Sequence, residues 1–184
     1  LTPSDFDYSG NLFSEEAPAG GLPAKQINVR VALLNQSGWT YDLLSESWLR
    51  FVDDALVETA GQLHPAIDRL TGRQLKFDNV IVVFAEHDVI SPTNMDIHFE
   101  LGDSGYAFLF RNGQKYNVRW SLKARDYEKV TGRPRPIYFV DASGNQMPLK
   151  PGNTWIFVAT PYSLVTDEGD NVWQVRYIPP EGAK

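Results

Sequence analysis

Residues 138–160 read YFVDASGNQMPLKPGNTWIFVAT. The order is an apolar run, a Ser143-Gly144 corner, a short return, a Pro151-Gly152 corner and a fully apolar run. β-rich runs bounded by such corners predict strands joined by tight turns. The stretch sets the expectation for the whole chain: antiparallel hairpins wrapped around an aromatic core.

Working outward, the same pattern recurs. In 25–34, Ile27, Val29, Val31 and Leu33 alternate with Gln26, Asn28 and Arg30, as a half-buried strand requires. Segments 39–43 and 48–51 flank Ser45-Glu46-Ser47 and predict a hairpin. Trp48, Phe51, Val52, Ala55, Leu56 and Leu63 also fit a 3.6-residue period, so the reading is strand to about Phe51 and helix within 53–63. Residues 79–85, NVIVVFA, predict a central strand buried on both faces. Ile97, Phe99 and Leu101 alternate with Asp96, His98 and Glu100. Segments 106–111 and 114–122 are joined by Asn112-Gly113, which suits a two-residue turn with both positions at positive φ. On the return strand Tyr116, Val118, Trp120 and Leu122 face one way, with Asn117, Arg119, Ser121 and Lys123 facing the other. A last strand spans 172–178. The expected fold is mainly β, an antiparallel barrel or sandwich of about 8–10 strands with one or two short helical insertions.

The 184 residues, 42% hydrophobic, suffice for one domain with a real core. Residues 1–24, rich in Pro, Gly, Ser and acid, read as a linker or N-terminal extension held at Phe6, Leu12 and Phe13. Residues 25–180 form the single β-rich domain. The chain begins at Leu1 without Met, which suggests a trimmed fragment or mature form. No apolar run is long enough to span a bilayer as a helix.

Cysteine is absent, which excludes disulfides, thiolate catalysis, zinc–thiolate sites and iron–sulfur clusters. The net charge is −6, yet eight of the 17 basic residues fall within 111–135. Such clustering either attracts an anionic partner or forms a solvated face. Tyr116 and Trp120 lie on the face opposite Arg119 and Lys123, a poor arrangement for nucleic acid.

Other constellations are weaker. Gly102-Asp103-Ser104-Gly105 resembles a serine-protease nucleophile motif, but the chain is too short for two barrels and reads better as a turn. His64-Pro65-Ala66-Ile67-Asp68 sets an imidazole and a carboxylate four apart, where Asp68 could orient His64 as a general base. His87 and His98 stand among acids without a second histidine at ligand spacing, so no metal site is expected. No Gly-rich phosphate loop or cofactor motif is present. Of the five tryptophans, Trp120 and Trp155 belong in the core. Trp39 and Trp48, beside turns, are the expected exposed pair, free to stack on a sugar or peptide.

An ordered series of residues resembles a known family. It runs Gly20-Gly21, Trp39-Thr40-Tyr41-Asp42, Leu49-Arg50-Phe51, His64-Pro65 with Asp68, Asn79-Val80-Ile81-Val82, then Gly102 and Gly105 before Phe108-Leu109-Phe110. Asn112-Gly113, Trp120, Asp141 with Gly144, and Pro151-Gly152-Asn153-Thr154-Trp155-Ile156 complete it. The series is similar to the C-terminal domain of the YerB-like bacterial lipoproteins, a family of unknown function. The segment between Phe51 and His64 is longer than the family pattern. The resemblance implies an extracytoplasmic domain, preceded by an N-terminal domain and a lipidated cysteine that this chain lacks. It marks Arg50, His64, Asp68 and Asn79 for testing without assigning them roles.

The leading expectation is a non-catalytic binding or structural module. Its partner would be an anionic wall polymer or an envelope protein met by Arg119, Lys123 and Arg125, with Trp39 and Trp48 as stacking surfaces. Two rivals are an envelope hydrolase using His64 and Asp68 with Arg50 as anion clamp, and a module that docks on its own N-terminal domain.

Overall fold

The computed structural model describes residues 10–32, 35–54, 61–91, 94–99, 103–122 and 126–182. The strands are β1 (Leu22–Pro23), β2 (Gln26–Ala32), β3 (Asn35–Asp42), β4 (Ser47–Asp53), β5 (Leu63–Pro65), β6 (Lys76–Phe77), β7 (Asn79–Phe84), β8 (Glu86–Ser91) and β9 (Asn94–His98). There follow β10 (Ser104–Arg111), β11 (Gln114–Leu122), a short helix α1 (Tyr127–Thr131), β12 (Ile137–Val140), β13 (Thr154–Ala159), β14 (Leu164–Asp167) and β15 (Val172–Arg176). The expectation of a mainly β chain holds, as two open sheets packed like a sandwich. The strands outnumber the 8–10 expected because two- and three-residue pieces such as β1, β5 and β6 carry no alternation of their own.

One sheet has the order β1-β11-β10-β7-β13, with β12 also on β11; the other runs β14-β15-β2-β3-β4-β5, with β6 also on β4. The β8–β9 hairpin forms a third, two-stranded sheet. Hairpin logic accounts for β10–β11, where Asn112 (φ 49°) and Gly113 (φ 67°) make the turn. A Cβ on Gly113 would also strike the Tyr41 ring at 2.9 Å, so glycine is needed there twice over. Two pairings depart from the antiparallel expectation: β13 runs parallel to β7 and β15 parallel to β2. Each joins segments far apart in sequence, and no local turn announces such a partner.

The return strand expected after Ser143-Gly144 does not form. Residues after the turn make single bridges, Gln146 to Val140 and Leu149 to Phe13, so the N-terminal segment takes the place a strand would have held. The expected helix within 53–63 falls mostly on 55–60, outside the described residues, while Asp53 ends β4 and Leu63 opens β5. The helix among the described residues is α1, in the basic stretch.

Alternation decides which sheet face is buried. Between the sheets lie Ile27, Val29, Trp39, Trp48, Val80, Val82, Phe110, Trp173 and Val175. On the outer face of the six-stranded sheet, Ile81, Val83, Leu109, Tyr116, Val118 and Trp120 pack with Phe139 of β12 and with Leu149. β7 is thus covered on both sides, as its unbroken apolar run required. Trp39 and Trp48 correct the expected exposure: they are 1% and 0% exposed. Proximity to a turn in sequence says nothing about the second sheet that packs over them. Each ring removes about 150–250 Å² from water, gross roughly 4–6 kcal/mol, far more than a solvent-facing position returns. Neither indole N–H finds an acceptor among the described residues.

Part of the basic stretch is also less solvated than expected, although Lys129 and Arg133 are exposed. Arg111 is fully buried, and Lys115 nearly so. Arg111 donates to the carbonyl oxygens of Pro148, Ser14, Glu15 and Glu16 and to Asn112 Oδ1, all at 2.9–3.2 Å. With Tyr116 Oη donating to Pro18 O, it clamps residues 14–18 onto the sheet.

Candidate functional site

Lys129 and Arg133 are exposed on and after α1, while on the β10–β11 ribbon the basic side chain left open is Arg119. Strand period puts Tyr106, Phe108, Asn117 and Arg119 on the side of the six-stranded sheet that faces its partner sheet. There a cleft of about 560 Å³ is lined by Phe84, Tyr106, Phe108, Arg119, Trp120, Pro161, Ser163 and Val165, with Glu86 and His98 from the β8–β9 hairpin.

Four elements set its geometry. Gly105 lies opposite Trp120 in the β10–β11 register. A Cβ there would meet the indole at 2.5 Å, so glycine lets the ring lie across the strand. The Trp120 Nε1–H then donates to Phe84 O at 2.7 Å, and Phe84 stacks edge-on against Phe108, centroids 5.6 Å apart. Arg119 donates through Nη2 to Ser104 Oγ at 3.0 Å, and its guanidinium sits 5.1 Å from the centroid of the Tyr106 ring. Tyr106 is 70% exposed. No described carboxylate forms an ion pair with Arg119. Most of its five donors therefore remain available to an anion. Glu86 is the acidic side chain among the lining residues.

Nearby, Lys115 is enclosed. Its ammonium lies 3.9 Å from the Phe108 centroid and 4.3 Å from that of Trp173, and it donates to Asn117 Oδ1 at 2.7 Å. Burial pushes its pKa down to about 8, against a smaller upward pull from Asp167.

The other candidate residues do not converge. His64 Nε2 bonds Asp54 Oδ2 at 2.8 Å, and both side chains are largely exposed. Asp68 accepts the backbone N–H groups of Leu70 and Thr71, which hold its pKa below the usual carboxylate range. It closes its own turn instead of orienting His64. Arg50 lies over the Trp155 ring at 3.9 Å and the Trp39 ring at 4.9 Å, with Nη2 donating to Ser37 Oγ; burial lowers its pKa. Asn79 is buried, donating to Lys150 O and accepting from Lys150 N, as a side chain joining strand to loop should. Ser104 has no histidine partner; Arg119 takes its oxygen. Lys123 and Arg125 lie outside the described residues. No group of three or more His, Asp or Glu among the described residues could hold a metal, and no described helix is long and apolar enough to cross a membrane. Sequence reasoning singled out Arg119 but missed Phe84, Tyr106, Ser163 and Val165, which come from separate strands and loops and share no motif.

Residues 27–156 match the family described as Protein of unknown function (DUF3048) C-terminal domain. The chain belongs to this family. It is 29% identical over 135 residues to "Putative lipoprotein YerB" of Bacillus subtilis, covering 70% of this chain and 34% of that protein. A crystal structure of YerB from the same organism superposes with a TM-score of 0.56 at 24% identity, over 81% of this chain and 43% of that one. That likeness bears on the fold. The chain therefore spans about a third of its curated relative's length. The resemblance read in the sequence is confirmed, and the family carries no assigned activity.

Proposed function

We propose that the chain is a non-catalytic, extracytoplasmic binding module of a bacterial envelope lipoprotein, and that the Arg119 cleft is its site. The carrying observation is a guanidinium with a single hydroxyl partner, laid over an exposed tyrosine at the mouth of an aromatic cleft. Such a site suits a ligand with one anionic group for Arg119 and a flat or apolar body for Tyr106, Phe108 and Phe84. A sugar–phosphate wall polymer offers both. The extracytoplasmic setting rests on the relative's printed description as a lipoprotein.

The test is sedimentation of the protein with purified sugar–phosphate wall polymer over a salt series. The reading expects binding that weakens with salt and falls at least about tenfold in Arg119→Gln, a charge-assisted pair in a partly dry site. Binding indifferent to both, or binding confined to envelope proteins, refutes it.

A further inference from the structure

β13 ends its sheet with one side unpaired. β7 bonds to one flank, and no described residue bonds to the other. Free edges of this kind are templates for another strand, and proteins usually blunt them with charge, proline, a bulge or short length. β13 has none of these. Its six residues, TWIFVA, are uncharged and keep unbroken register with β7 from Thr154 to Ala159. The edges of the other sheet differ: β14 has four residues ending in Asp167, and β5 has three ending in Pro65. Ile156 is 45% exposed. From it an apolar trough of about 580 Å³ continues over Val158, Val83, Ile137 and Leu122.

We propose that β13 pairs antiparallel with β13 of a second copy of this chain, about a two-fold axis passing through Ile156. Symmetry sets the register. Strand pairs opposite each other must point to the same face, so residue numbers in each pair sum to an even value. Centred on Ile156, the axis puts Ile156 opposite itself, Trp155 opposite Phe157 and Thr154 opposite Val158. No pair opposes like charges, although two copies each carry −6. Aromatic faces aromatic on the inner side, and on the outer side Ile156 faces Ile156 with the β-branched Thr154 and Val158 opposite each other, the pairings that stabilise cross-strand neighbours. The edge is thus complementary to itself in hydrogen bonding and in side-chain chemistry, as an isologous interface requires. Trp155 is already held in place by the Arg50 guanidinium stacked on its ring, so pairing needs little reordering there.

The absence of cysteine makes a single introduced one diagnostic. Sedimentation at about 100 μM should give a dimer that dissociates on dilution by mass action. Ile156→Lys should be monomeric, with the near-ultraviolet spectrum of the wild type diluted to its monomer. Ile156→Cys should cross-link under mild oxidation, and Leu164→Cys, on the β14 edge, should not. A wild-type monomer at that concentration overturns the proposal. So does a dimer that survives Ile156→Lys, or one that does not cross-link at 156. If Ile156→Lys fails to fold, the cross-link and the hydrogen-exchange protection of 154–158 in the wild type decide. A monomer that instead takes up a strand of another protein also overturns it.

Discussion

Arg111 and Arg119 stand at opposite ends of one ribbon, β10–β11, and have opposite fates. Arg111 is enclosed and every nitrogen of its guanidinium donates, four of its bonds going to main-chain carbonyls. Arg119 gives one bond to Ser104 and leaves the rest of its fork toward a cleft. The residue type is the same, and the difference is what covers each end. Arg111 lies on the outer face of the sheet, where residues 14–18 cover it, whereas Arg119 lies on the inner face and lines a cleft. One arginine is therefore structural and the other is available to a ligand.

The largest effect is expected for Arg111→Met. It strands several buried carbonyls, each costing about 1–3 kcal/mol unmade, and the expected net loss is roughly 3–5 kcal/mol. Urea unfolding should show it, together with rapid proteolysis between residues 10 and 20. Arg119→Met should change stability by less than about 0.5 kcal/mol, the usual limit at a surface position. Equal losses in the two variants would erase the distinction.

Gly105→Ala comes next. The new methyl group displaces the Trp120 indole and breaks its bond to Phe84 O, for about 1–3 kcal/mol of overpacking cost. The tryptophan emission should shift with it, and ligand binding should weaken because the cleft wall moves.

Lys115, between the two arginines in sequence, gives an effect of opposite sign. Its pKa falls from 10.5 to about 8, so the fold disfavours the charged form. Such a group binds fewer protons folded than unfolded between those values, and stability should rise as pH increases through that window. The penalty holds in full below about pH 8. Above about pH 10 ionisation of Tyr41, Tyr116 and Tyr177, whose pKa values are raised by burial, reverses the trend. Lys115→Met should stabilise the protein at pH 7 by about 1–3 kcal/mol and flatten the rise between pH 8 and 10, as read by thermal unfolding.

Much of this fold was legible because alternation is local. β2, β7, β10 and β11 and the Asn112-Gly113 turn followed from side-chain period and turn chemistry. The parallel partners of β13 and β15 were not, since contacts between distant segments leave no local mark. Trp39 and Trp48 were misplaced for the same reason: the sheet that buries them is made of other segments. Arg119 was visible as the polar face of β11. Its cleft was not, because Phe84, Tyr106, Ser163 and Val165 meet only after the sheets pack. Arg111 carried no signal separating it from its solvated neighbours. An apolar strand ending in arginine reads the same whether or not a distant segment folds over it.

The most direct test of a ligand site at Arg119 is a heteronuclear NMR titration of the folded chain with short sugar–phosphate oligomers. The account predicts that the Trp120 indole N–H, the Gly105 and Tyr106 amides and the Arg119 Nε–H shift together and saturate, while the Arg111 Nε–H stays still. Shifts confined to other surfaces, or none in these groups, would contradict it.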